Sequence, residues 1–276
     1  MTKTSKTDSE ILKKWKKATL ANNFIFYKVM RHHPEACKHL LEMLLNIKIK
    51  RIKMSNEEII EVDKDAKSIR LDVYVTETKR MHDIELQVIN TKELPERSRY
   101  YSAIMDLDNL KAGEKYNKLK DSHVIFICLE DVFDNGLPVN TFENICQEDG
   151  VTKLNDRSYK HFFIAPRCAK MLEVGELKSF FEFLISNKAA NEYTSELAGY
   201  VKDAKQNMQW RIQYMNWERQ RTYDIDYGKE QGIQQKAIED ATEFLKENVS
   251  PELIAKCVKL PLEKVLELQE QIAVKA

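Results

Sequence analysis

Asp72 and the run Glu85-Leu86-Gln87 are the residues of this chain whose types and spacing most directly suggest chemistry. Asp72 lies in Ile69-Arg70-Leu71-Asp72-Val73-Tyr74-Val75-Thr76, where Leu71, Val73 and Val75 alternate with Arg70, Asp72, Tyr74 and Thr76. Glu85 and Gln87 lie in His82-Asp83-Ile84-Glu85-Leu86-Gln87-Val88, where Ile84, Leu86 and Val88 alternate with Asp83, Glu85 and Gln87. Alternation with period two, carried by β-branched residues, predicts half-buried strands. The polar stretch Glu77-Thr78-Lys79-Arg80 is short enough for a tight connection. A turn centred between Thr78 and Lys79 sets Asp72 opposite Glu85 and Arg70 opposite Gln87. Directly opposed side chains of an antiparallel pair have Cβ atoms about 4.5–5.5 Å apart, and like charges there are destabilising. A divalent cation reverses the sign of that interaction, since octahedral Mg²⁺ takes carboxylate oxygens at about 2.0–2.1 Å. Such an ion polarises a phosphoryl oxygen and lowers the pKa of a bound water, which becomes a nucleophile. Gln87 shares the face and can orient that water or a phosphate oxygen through its amide. The competing reading is plainer. Acidic residues are common on the solvent face of a sheet, Arg70 is near, and a register slip of one residue would separate the pair.

The elements that must position these residues are legible around them. Residues 20–33 and 35–46 read as helices separated by Pro34, with Phe24, Tyr27 and Met30 and then Leu40, Leu41, Leu44 and Leu45 at helical spacing. Ile47, Ile49 and Ile52 suggest a strand leading towards Ile59-Ile60. Residues 94–111 read as a helix opened near Pro95 and closed by Gly113, with Arg97, Tyr100, Tyr101 and Ile104 along one side. Arg97 can hold phosphate with a two-pronged fork. Tyr100 and Tyr101 read as packing residues, Tyr100 also standing as an auxiliary site candidate. The apolar run His123–Leu129 predicts a central strand, and Thr141–Cys146 and His161–Ala165 further strands. The six histidines show no catalytic or metal-ligand spacing, so structural roles are expected. Leu172–Ser186 and residues 190–240 are helical in pattern, as are 237–247, 251–258 with Ser250 as N-cap, and 262–272. The last two resemble a small helix-turn-helix, which could dock in a DNA major groove. Their exposed Glu252, Glu263, Glu267 and Glu270 favour instead a helical cap or a contact between two copies, a homodimer.

Composition bounds the partners. The chain has 276 residues, with 44 basic and 44 acidic, so it lacks the basic excess expected of a nucleic-acid binder. Binding to DNA must then use local patches, such as Lys48, Lys50, Arg51 and Lys53, or Arg97 and Arg99, or Lys13, Lys14, Lys16 and Lys17. Each could equally be a solvated face. Five scattered cysteines without a Cys-x-x-Cys pair indicate neither a zinc site nor a disulfide scaffold. A polar N-terminus and the lack of a long apolar run lead to the expectation of a cytoplasmic protein without a membrane partner.

The segments Arg70–Val75 and Asp83–Gln87 resemble the recombination-promoting nuclease family, whose members are also called PD-(D/E)XK nuclease family transposases. Further matches follow in order: Asn22–Met30, Leu40–Leu45, Arg97-Ser98-Arg99-Tyr100-Tyr101 and Val124–Cys128. The resemblance spans roughly residues 18–170 and implies an α/β fold: a PD-(D/E)XK (restriction-endonuclease-like) core, a mixed sheet flanked by helices, with an all-helical C-terminal region. It implies a Mg²⁺-dependent DNA endonuclease, with Mn²⁺ as an alternative ion and no organic cofactor, linked to recombination, mobile elements or defence. Asp72 matches the first acidic position, Glu85 the second and Gln87 the third, where the wider superfamily usually has lysine. Glutamine cannot take a proton or supply positive charge, although this variant is common in the narrower family. Relatives often carry Asp where this chain has Asn23, which puts a metal role there in doubt; Glu42 fits an auxiliary acidic residue from the first helix. The expected organisation is a polar tail at 1–17, the nuclease-like domain at 18–174, a helical extension at 175–232 and a small helical segment at 233–276. The alternative reading is a catalytically inactive nuclease fold that binds DNA or protein; an RNase is a third.

Overall fold

The computed structural model describes residues 3–54 and 72–275. Contacts divide the chain into one unit of residues 13–211 and a second of residues 1–12 with 212–276.

The first unit is built on a mixed sheet, six-stranded among the described residues, in the order β1-β2-β3-β4-β6-β5. The strands are β1 (Lys53–Met54), β2 (Val73–Thr76), β3 (Arg80–Gln87), β4 (Asp121–Cys128), β5 (Val139–Phe142) and β6 (Ser158–Ile164). β3, β4 and β6 run parallel, and the outer pairs are antiparallel. β4 lies centrally, buried from Val124 to Cys128, as its continuous apolar run requires. β2 and β3 form the expected hairpin in the expected register: Val73 pairs with Ile84, Tyr74 with Asp83 and Thr76 with Met81. Glu77 N–H donates to the Arg80 carbonyl, closing the turn over Thr78 and Lys79.

Helix α4 (Leu94–Asn109) covers one sheet face. Leu94, Tyr101, Ile104 and Met105 pack with Tyr74, Met81, Val124, Phe126, Cys128, Phe162 and Ile164. Pro95 in its first turn pre-sets the backbone for helix entry. The opposite face receives α2 (Asn23–His32), which packs on β2 and β3, and α6 (Glu176–Ser186), whose Phe181 stacks on Phe163. The Asn22 side chain caps α2 by accepting from the Ile25 N–H. Pro34 opens α3 (Pro34–Leu45), and Asn46 closes it in the left-handed conformation. α5 (Ala165–Met171) and α7 (Glu192–Gln206) complete the unit, so the helices after residue 175 begin inside it. In the second unit, α8 (Met208–Lys246) supplies Ala241 and Leu245, which pack with Ile254 of α9 (Pro251–Val258) and Val265 of α10 (Leu262–Lys275).

Several boundaries differ from expectation. Residues 3–17, expected as a polar tail, form α1, whose Ile11 and Trp15 are buried. The strand expected through Ile47–Ile52 is reduced to Lys53–Met54, because Ile47 N–H and Ile49 N–H are taken by the carbonyl and side chain of Glu42. The strand expected at 141–146 sits earlier, at Val139–Phe142, paired to β6. Ser250 stands at the N-cap of α9 but makes no side-chain capping bond. Ile59-Ile60, Ile69 and Arg70, with its pairing to Gln87, lie outside the described residues.

Candidate active site

The hairpin and α4 bring four of the expected residues together. Alternation along β3 puts Asp83, Glu85 and Gln87 on the α4 side, next to Val124, Phe126 and Cys128 of the parallel neighbour. Asp72 immediately precedes β2, and its backbone N–H donates to Glu85 Oε1 at 2.8 Å, continuing the register towards the Asp72–Glu85 pair. Glu85 is 2 % exposed and Asp83 is wholly buried. Gln87 Nε2 donates to Glu85 Oε2 at 3.4 Å. From the first turns of α4, Arg97 Nη1 donates to Gln87 Oε1 at 3.0 Å and Nη2 lies 3.4 Å from Glu85 Oε2. Tyr101 Oη accepts from Arg97 Nη2 at 2.8 Å and from Nε at 3.3 Å, and the guanidinium lies over the rings of Tyr101 and Phe126.

Carboxylates in an apolar layer are costly to ionise. Burial, then the charge of Asp72, then that of Asp83 hold Glu85 well above the usual carboxylate range. Burial and then Asp72 do the same to Asp83. Both Asp83 oxygens are buried without a hydrogen-bond partner among the described residues. Burial works against the Arg97 cation, but Tyr101, Glu85 and Asp72 outweigh it, so the guanidinium stays charged. Burial and Glu85 push the Tyr101 phenol up, so it remains a neutral hydroxyl.

Asp83 was not singled out by sequence, although the alternation that selected Glu85 places it on the same face. Nothing in a strand pattern shows that this face is sealed. Tyr101, read as a packing residue, is also the anchor of Arg97. Tyr100 turns away and is exposed. Asn23 is the first residue of α2, half-buried. Glu42 accepts from the Ile49 N–H at 2.7 Å and pairs with Lys38, and the Ile49 bond chiefly holds its carboxyl low. It therefore serves the turn after α3.

The donors suit a hard divalent cation: they are oxygens, their charges oppose one another, and the two Asp83 oxygens have no partner among the described residues. As placed, no three His, Cys, Asp or Glu groups among the described residues stand close enough to hold one ion. Asp72 meets Glu85 through its backbone N–H.

Residues 31–163 match the family model of the PD-(D/E)XK nuclease family transposases. That stretch of the chain is similar to this family. The matched stretch runs from the end of α2 to β6 and contains Asp72, Asp83, Glu85, Gln87 and Arg97, with Asn23 outside it. Nucleases of the PD-(D/E)XK type generally use divalent metal ions, and the family supports a nuclease-related function for this domain. No curated protein and no solved structure matches the chain at a significant level. No helix among the described residues is long and apolar enough to cross a membrane.

Proposed function

We propose that the chain is a Mg²⁺-dependent DNA endonuclease, able to use Mn²⁺, that acts in the cytoplasm in recombination, mobile-element or defence processes. The observation that carries this reading is the pair of buried, mutually opposed carboxylates on β3 beside Asp72, Gln87 and Arg97. Asp72 and Glu85 would hold the ion, which supplies Lewis-acid stabilisation and a more acidic water. Gln87 orients the attacking water or the phosphate through its amide, the role left to a side chain that cannot accept the proton. Arg97 contributes the fork for the phosphate. In the reaction the water oxygen bonds to phosphorus, the bridging P–O bond breaks, and the leaving oxygen departs with a proton. The substrate phosphate approaches the Gln87 and Arg97 end of this face, where both side chains are partly exposed, and α8–α10 offer the surface for a homodimer.

The test is nicking of supercoiled plasmid with and without Mg²⁺, run beside a structured RNA. Wild type is expected to nick DNA. Asp72→Ala and Glu85→Ala are each expected to lose at least about a hundredfold in rate, the order seen when a preorganised electrostatic group is removed. An Asp72→Ala variant that cuts as fast as wild type would sink the assignment. A second reading, a nuclease-fold module that binds without cutting, is favoured by Gln87 and the balanced charge. It requires no nicking by wild type under conditions where millimolar Mg²⁺ still raises its melting temperature.

A further inference from the structure

Arg97 occupies, on Glu85 and Gln87, the acceptors that a divalent ion and its water would need. Glu85 Oε1 is taken by the Asp72 N–H, and Oε2 faces both Gln87 Nε2 and Arg97 Nη2. Arg97 Nη1 takes the Gln87 carbonyl oxygen. The pose is built. Two guanidinium nitrogens meet the Tyr101 hydroxyl, and Arg97 Cζ lies 5.3 Å from the Tyr101 ring centroid and 5.8 Å from that of Phe126. Glu85 is almost fully buried, and Arg97 is its ion-pair partner. A guanidinium and a divalent cation at one buried carboxylate repel strongly, because the low dielectric leaves their charges poorly screened. Both bind Glu85 well only in turn.

Resting on the nuclease reading above, we propose that Arg97 is a resident counter-cation. It neutralises Glu85 in the metal-free protein, competes with the divalent ion for that carboxylate, and once displaced presents its fork to the substrate phosphate. The fork geometry of a guanidinium suits both tasks, since carboxylate and phosphate oxygens accept two parallel N–H bonds alike. Arg97 is thereby a positioning residue whose phosphate contact is coupled to loading of the ion.

Calorimetric titration of the full chain with Mn²⁺ at pH 8 tests this without reference to cutting. Arg97→Met is expected to bind Mn²⁺ about tenfold tighter than wild type, the scale set by losing one charge-assisted hydrogen bond. Tyr101→Phe keeps the guanidinium and removes its anchor, and is expected to bind about threefold tighter, a fraction of the same term. Unchanged or weaker binding by Arg97→Met overturns the inference and leaves the nuclease reading standing. Should that variant fail to fold, Tyr101→Phe decides by the same sign. Absence of Mn²⁺ binding in wild type and both variants overturns the metal reading and the inference with it.

Discussion

At the scale of single residues, Asp83 sits in an unfavourable setting for a carboxylate. It is wholly buried, both oxygens lack partners among the described residues, and burial followed by Asp72 raises its pKa. Its folded-state pKa lies above the unfolded value, so its contribution to stability is present below the unfolded pKa and is lost as pH rises through the folded one. Metal-free Asp83→Asn is therefore expected to be more stable than wild type at pH 8, by about 1–3 kcal/mol, since it cannot ionise and each unit of a raised pKa is worth about 1.4 kcal/mol. The gain should shrink towards pH 5, as the stability lost to ionisation at higher pH is regained. Urea denaturation in EDTA at both pH values measures this, and a variant less stable at pH 8 would show that Asp83 has a structural partner. The same uncompensated charge makes Asp83 a candidate participant in the site beside Asp72 and Glu85. Its alternation with Glu85 was legible in sequence; its lack of partners was not, because hydrogen bonding is a property of what packs above the strand.

At the scale of elements, the two faces of the sheet carry opposite pH sensitivities. On the face away from Asp83 and Glu85, His82 of β3 stands in register with His123 of β4, ring centroids 5.1 Å apart. His123 Nδ1 lies 3.1 Å from His161 Nε2 of β6, and His161 Nδ1 lies 3.1 Å from Thr141 Oγ1 of β5. Burial depresses all three, His161 to about 4 and His123 to about 2, the latter also through His82 and His161. A depressed histidine keeps the folded state neutral while the unfolded chain takes protons below pH 6.5. Stability from this row is thus full above that pH and falls as pH drops towards the folded values. His123→Phe should reduce the loss of stability between pH 7 and pH 5 by about 1–2 kcal/mol, one proton over that interval. Urea midpoints at the two pH values give the difference, and an unaltered pH dependence would mean that His123 titrates in the folded state. The expectation of structural roles for the histidines came from spacing. Their stacking into one row came from the parallel order β3-β4-β6, which brings together segments far apart in the chain.

At the scale of the whole molecule, the contacts separate a sheet unit at 13–211 from a second unit at 1–12 and 212–276. The C-terminal helices have a small core of Ala241, Leu245, Ile254 and Val265. Ile254→Ala should cost about 2–4 kcal/mol in that core. Hydrogen exchange is expected to quicken in α9 and α10 while β4 keeps its protection; equal loss in β4 would show the two units to be one cooperative body. The sequence by itself determined the hairpin, its register and the shared face of Asp72, Glu85 and Gln87. A period of two leaves one pairing that keeps Val73, Val75, Ile84 and Leu86 together, and the short polar turn selects it. The ordered matches along the chain likewise sufficed for the α/β nuclease fold. Only the tertiary structure decided that the acidic face is interior, since α4 closes over it with Leu94, Tyr101 and Met105. That closure sets the chemistry: the same carboxylates facing water would be ordinary anions, and beneath α4 burial and their mutual repulsion make them costly to ionise, with Arg97 set against Glu85.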